Sequence, residues 1–199
     1  MAVRQIILDW IHGESSESSF FRLYGSAGAG KTAILQAIAE FLCSTPESDE
    51  NFGASFFFSR GKKGRDDGHF LFSTIAYQLA LKVPRLRQHV NHIMERNPTL
   101  HTKSMDAQLR NLLINAFRQL SPLLQRPYLV IIDGLDECHD TATQQLILRL
   151  LCETICKDSV PFLSHIRLLP SSHLSPCLIL SVITSRHSLF CTFNPLPSY

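Results

Sequence analysis

The sequence predicts an α/β fold in which a parallel β-sheet is flanked by helices. Three observations carry this. Short apolar runs at 20–24, 54–58 and 128–132 have the length of buried strands rather than of helices. Stretches with apolar residues at helical spacing lie between them, at 31–43, 70–81, 84–96 and 105–120. Strands that alternate with helices run parallel, because each helix carries the chain back across the sheet. With 199 residues, 45% hydrophobic and 18% charged, the chain can bury one sizeable core.

Taken in order, residues 1–11 read as a leading helix, and Gly13-Glu14-Ser15-Ser16 breaks it. Residues 1–19 are therefore a lead-in helix and linker, and 20–158 form the core. The first strand, 20–24, runs into Gly25-Ser26-Ala27-Gly28-Ala29-Gly30-Lys31-Thr32. This is G-x-x-x-x-G-K-[ST], the phosphate-binding loop of nucleoside triphosphatases, set between a strand and a helix as that loop requires. The chemistry explains the residue types. Gly25, Gly28 and Gly30 let successive backbone N–H groups point inward as an anion nest. The helix from Lys31 aims its positive end at the same place. Lys31 supplies a cation for the β- and γ-phosphates, and the Thr32 hydroxyl is a hard oxygen ligand suited to Mg²⁺. A glycine-rich turn that merely joined strand to helix would not need Lys-Thr at the helix start.

The loop 44–51 is acidic and contains Pro46, and the strand 54–58 follows. Its run Phe56-Phe57-Phe58 reads as core. The loop 59–69 mixes cations (Arg60, Lys62, Lys63, Arg65) with Asp66 and Asp67, which favours a solvated turn over a phosphate contact. Leu71, Ile75 and Leu79 line one face of the helix at 70–81, and Pro84 starts the next. In 105–120, Leu109, Leu112, Leu113, Ala116, Phe117 and Leu120 form an ordinary packing stripe.

The continuous run Tyr128-Leu129-Val130-Ile131-Ile132 suits a central parallel strand buried on both faces. It ends in Asp133-Gly134-Leu135-Asp136-Glu137. An acid at the carboxyl end of a central strand faces the ligand crevice of an open α/β sheet. Asp133 is thus the Walker-B carboxylate, holding Mg²⁺ directly or through water. Asp136 or Glu137 can polarise the attacking water, or cap the amphipathic helix expected at 143–157. Together with the loop, this makes the fold class that of a P-loop NTPase.

At these residues the chain resembles the NACHT domains of STAND-type signal-transduction NTPases. The nearest resemblance is to fungal NACHT proteins and the related nephrocystin-3-like N-terminal domain. The resemblance is carried by residues 23–42 around Walker A and by 128–138, whose D-G-L-D-E form is characteristic of the group. Ile7-Leu8-Asp9-Trp10-Ile11-His12-Gly13 is similar to the family's lead-in, and 53–90 to the segment between its Walker motifs. The resemblance implies binding of ATP or GTP with Mg²⁺, slow hydrolysis, and use of the bound state as a switch. It also implies helical and winged-helix parts beyond the sheet, so the fold is read as truncated at the C-terminal side.

The tail, 159–199, has no acid, no Lys and five of the ten prolines. The resemblance implies a short strand ending in Ser-Arg, which 178–186 fits, with Arg186 as a γ-phosphate sensor and 162–177 as an insertion. The competing reading is an aberrant tail with a chance match. Net charge is +2, and residues 1–158 hold all 17 acids and 17 of the 19 Lys and Arg. This is no basic footprint for nucleic acid. The N-terminus lacks a secretory pattern, and no apolar run approaches the ~20 residues that span a bilayer. A cytoplasmic protein is expected, with no nucleic-acid or membrane partner. The six cysteines form no C-x-x-C and read as buried thiols.

Two functions follow. The first is an ATP-binding switch with weak hydrolysis, acting through protein partners or self-association. The second is a non-hydrolysing fragment that acts by protein contacts. A small-molecule kinase lacks a lid-like arginine cluster, and N-K-x-D, which would favour GTP, does not occur.

Overall fold

Strand β3 (Tyr128–Asp133) is the middle strand of a three-stranded parallel sheet, and from Leu129 to Asp133 every residue is buried. The computed structural model describes residues 3–11, 21–26, 28–44, 52–120, 128–156, 166–170 and 189–193. On one side of β3 lies β2 (Phe52–Phe57), with Ala54 opposite Val130 and Phe57 opposite Asp133. On the other lies β4 (Ile166–Pro170), with Tyr128 opposite Ile166. A second parallel pair joins β1 (Phe21–Gly25) to β5 (Leu189–Phe193), Gly25 opposite Phe193. β1 runs beside β4, their Cα atoms within 8 Å.

Side chains alternate across a strand, and β3 divides its own between two apolar clusters. Leu129 and Ile131 join Ile7, Trp10, Phe21, Leu23, Leu35 and Ile38. These come from α1 (Val3–Ile11), β1 and α2 (Lys31–Ser44). Val130 and Ile132 join a larger cluster with β2, α3 (Leu71–Lys82), α4 (Pro84–Arg96), α5 at 105–120 and α6 (Thr141–Cys156). Helices thus cover both faces of the sheet, and the fold is α/β with parallel strands. The lead-in helix belongs to this packing. Trp10 and Phe21 are fully buried with ring centroids 5.3 Å apart, and each such side chain contributes about 1.5–3 kcal/mol relative to exposure.

Local chemistry sets the boundaries. Val83 is extended, as the residue before a proline prefers, and Pro84 opens α4. Ser104 caps α5, its Oγ accepting from the Ala107 amide at 3.4 Å. The buried Gln108 side chain donates to the carbonyls of His101 and Lys103 at 2.9 and 3.0 Å, which fixes the turn before α5.

Two expectations need correction. The stretch 105–120 is not one regular helix. Leu109–Ile114 is π-helical, with the Asn115 amide reaching back to the Arg110 carbonyl. The packing stripe is nevertheless buried as expected, at Leu109, Leu112, Leu113, Ala116, Phe117 and Leu120. The second concerns the tail. The stretch 162–177, read as an insertion, contributes β4 at 166–170, and β5 lies at 189–193. Ile166-Arg167-Leu168-Leu169 is an apolar run that can partner the second edge of β3, too short for periodicity to reveal. The sensor strand expected at 178–186 lies outside the described residues.

Candidate functional site

The chain leaves β1 at Gly25 and turns into α2 through the glycine loop. Gly28 and Gly30 have φ of 75° and 79°, the left-handed region that glycine enters without cost. A Cβ added at either would meet no atom within 4 Å among the described residues, so both glycines border open space and are held by conformation alone. The Ser26 carbonyl accepts from the Ala29 amide at 3.2 Å, which closes the turn. The Gly30 carbonyl accepts from the Ile34 amide at 3.0 Å, which starts the helix. Ala29 is buried and anchors the loop, while Thr32 is exposed in the first turn of α2. Ala27 lies outside the described residues.

Lys31 is the first residue of α2 and only 6% exposed. Its Nζ donates to the Ser26 carbonyl at 2.9 Å, which folds the side chain back over the loop. Burial lowers its pKa, and the charges of Asp136 and then Asp133 oppose that shift. The cation and these two acids therefore share one electrostatic environment, although about a hundred residues separate them in the chain.

Asp133 ends β3, 2% exposed. Its carbonyl accepts from the Phe58 amide at 2.9 Å, which continues the β2–β3 ladder to the strand tip. Gly134 then reverses the chain with φ 66° and ψ 31°. A Cβ there would lie 3.2 Å from the Phe58 carbonyl oxygen, so glycine is required by both conformation and space. The turn Leu135–Glu137 follows, closed by the Glu137 amide on the Gly134 carbonyl at 2.7 Å.

The loop after β2 is stapled along this acid turn. The Arg60 amide donates to Glu137 Oε2 at 3.1 Å, and the Arg60 guanidinium donates to the Asp136 carbonyl at 3.1 Å. Both the amide and the ring Nδ1 of His139 lie 2.9 Å from the Asp66 carbonyl oxygen. That contact, helped by Asp67, Asp66 and Asp140, raises the His139 pKa. Arg65 Nε donates to the Phe57 carbonyl at 2.9 Å. Arg60, Lys62, Lys63 and Arg65 are all exposed, as the solvated-turn reading expected, and the two arginines also hold backbone carbonyls.

The cap of α6 is Asp140. Its carboxylate accepts from the Thr143 amide at 2.8 Å, the Thr143 hydroxyl at 2.5 Å and the Ala142 amide at 3.3 Å. These bonds hold its pKa below the usual carboxylate value. Asp136 and Glu137 are therefore not needed as helix caps, which removes the simplest structural explanation of them. Asp140-Thr141-Ala142-Thr143 carried a cap signature that sequence reasoning passed over. The sequence marked Arg60 as one cation of a mixed-charge loop and gave no sign that it would meet the acid turn.

Of the expected site residues, Lys31 at the end of the glycine loop lies within the electrostatic reach of Asp136 and Asp133, and Glu137 is turned to the Arg60 amide. Arg186 lies outside the described residues. Among those described, no group of three or more His, Cys, Asp or Glu comes together as a metal cage. Magnesium needs none, since one or two protein oxygens suffice when phosphates and waters complete its shell. No helix is long and apolar enough to cross a membrane among the described residues.

Fold and site define an α/β chain in which a glycine loop and an acid-tipped strand share one charged environment. Residues 3–173 match the family described as nephrocystin 3, N-terminal, and the chain belongs to that family. Comparison with curated proteins returned no match.

Proposed function

We propose that the chain binds a nucleoside triphosphate with Mg²⁺, hydrolyses it slowly, and uses the bound state as a signalling switch. In this reading Gly25–Thr32 is Walker A and Asp133 the Walker-B acid of a NACHT-type, STAND-class P-loop domain. The observation that carries it is Lys31: a buried cation at a helix start, folded over a glycine loop that borders open space and within the field of Asp133 and Asp136.

The roles follow from position. The amides of the loop and the start of α2 receive phosphate oxygens. Lys31 exchanges its Ser26 carbonyl for a phosphate oxygen, which costs one hydrogen bond and gains a charge-assisted one. Thr32 and Asp133 are the oxygens for the metal, which supplies Lewis acidity when bound. Asp136 orients water on the side of the cation. ATP is preferred to GTP, because the sequence lacks N-K-x-D. Output passes to a protein partner or to a second copy of the chain, in the cytoplasm.

Calorimetric titration of the purified chain with ATP and with GTP, each with and without Mg²⁺, tests the reading. Saturable binding that requires Mg²⁺ and disappears in Lys31→Ala supports it. Equal affinity of parent and Lys31→Ala overturns it.

A further inference from the structure

Strand β2 pairs with β3 on one side, and among the described residues no strand pairs with its other edge. Its sequence, Phe52-Gly53-Ala54-Ser55-Phe56-Phe57 with Phe58 next, has no charge, no proline and three consecutive phenylalanines. Such segments pair with copies of themselves when their edge is open, because every unmet N–H and C=O finds its counterpart in an identical strand.

Here three of the outward groups are taken by side chains. From α3, Gln78 Oε1 accepts from the Ser55 amide at 2.9 Å, and Gln78 Nε2 donates to the Ser55 carbonyl at 2.9 Å. One carboxamide thus makes both bonds that an added strand would make at Ser55. Two residues on, at the same outward register, the Phe57 carbonyl is held by Arg65. Two residues earlier, α3 lies directly on the strand. A Cβ on Gly53 would come 2.7 Å from Leu79 Cδ2, so glycine lets the helix approach closely enough for Gln78 to reach. Gln78 itself is half-buried at the rim of the core, so its amide is not required to fill space.

We propose that Gln78, assisted by Arg65, is an edge guard that keeps β2 from pairing with the β2 strand of a second copy of this chain. A two-fold axis normal to the sheet would set the two identical strands antiparallel, each supplying what the other lacks. The seal at Ser55 is made by one side chain of α3, not by a further strand. The inference is independent of nucleotide binding.

The test compares the full chain with Gln78→Ala, Arg65→Ala and, as a surface control on α4, Gln88→Ala. Light scattering behind size exclusion, run over a concentration series, reads self-association. Hydrogen exchange reads the Ser55 amide. Gln78→Ala is expected to associate about tenfold more strongly than the parent, since two backbone groups lose their partners. Its Ser55 amide is expected to exchange faster than the parent's when dilute and to regain protection on concentration. Arg65→Ala is expected to shift in the same direction by less, and Gln88→Ala not at all. Parent-like association of Gln78→Ala overturns the proposal. So does association without concentration-dependent protection at Ser55. Should Gln78→Ala fail to fold, parent-like behaviour of Arg65→Ala overturns it equally.

Discussion

The Arg60 amide donates to Glu137 Oε2 at 3.1 Å, and the same residue's guanidinium donates to the carbonyl of Asp136. One loop residue thereby fixes both acids of the turn and assigns them different work. The Glu137 carboxylate faces the loop. Asp136, whose carbonyl takes the guanidinium, acts on Lys31 through its charge.

The first prediction separates those tasks. Glu137→Gln keeps an acceptor oxygen for the Arg60 amide, whereas Glu137→Ala removes it. Hydrogen exchange across residues 59–66 should rise in the alanine variant and stay near the parent in the glutamine one. If hydrolysis is detectable, Asp136→Asn should lower turnover more than Glu137→Gln while both spare binding. The reverse order would make Glu137 the water-orienting acid.

Lys31→Ala should cost about 10- to 100-fold in triphosphate affinity, the range expected for charge-assisted bonds of roughly 1.5–3 kcal/mol. Its melting temperature should stay close to the parent's, because the Lys31 Nζ donates to a carbonyl of its own loop, at Ser26. Asp133→Asn should weaken binding in the presence of Mg²⁺ and leave any metal-free binding unaltered. Parallel titrations with and without the ion would expose a failure of either.

Gly134→Ala places a side chain at φ 66° with the Phe58 carbonyl oxygen 3.2 Å away. A left-handed conformation costs an L-residue about 1–2 kcal/mol, and the contact adds to that. Urea unfolding should report a loss of at least this size. A smaller loss would mean that the turn relaxes to another conformation, and Mg²⁺-dependent binding should then fall as Asp133 and Asp136 shift.

Asp140 and His139 are two of the groups that give the stability a signed pH dependence. Asp140 has a lowered folded pKa, so its contribution is present above the ordinary carboxylate value and is lost as pH falls through the folded one. His139 has a raised folded pKa, so its contribution is full below the ordinary imidazole value and is lost as pH rises through the folded one. Asp140→Ala should lower the melting temperature at neutral pH by about 2–4 °C, as loss of a helix cap does in a chain this size. The difference should shrink in acid. His139→Ala should flatten the profile near neutrality, and an unchanged profile would place the proton elsewhere.

Much of this architecture was readable in the residues. The apolar run 128–132 announced a strand buried on both faces, and it is the middle strand of its sheet with Asp133 at the tip. Gly28 and Gly30 announced backbone that other residues resist, and both have positive φ. What was illegible depends on contacts distant in sequence. The π turn at Leu109–Ile114 answers to packing against neighbouring helices, and its residues have ordinary helical preferences. Arg60 bonds a carbonyl 76 residues away, and no spacing rule encodes that. β4 and β5 are short runs in a tail whose composition gave no period, so neither could be told from its surroundings.

The alternation along β3 leaves the molecule with two half-cores that meet only at a shared wall. Leu129 and Ile131 answer to one, Val130 and Ile132 to the other. Loosening of either half slackens one side of that wall and tilts its end, and the end carries Asp133. Warming should erode metal-dependent affinity well before the chain melts, because a tilt of the wall needs only a local opening. Under the proposed function, such a chain is expected to lose binding before it loses its fold.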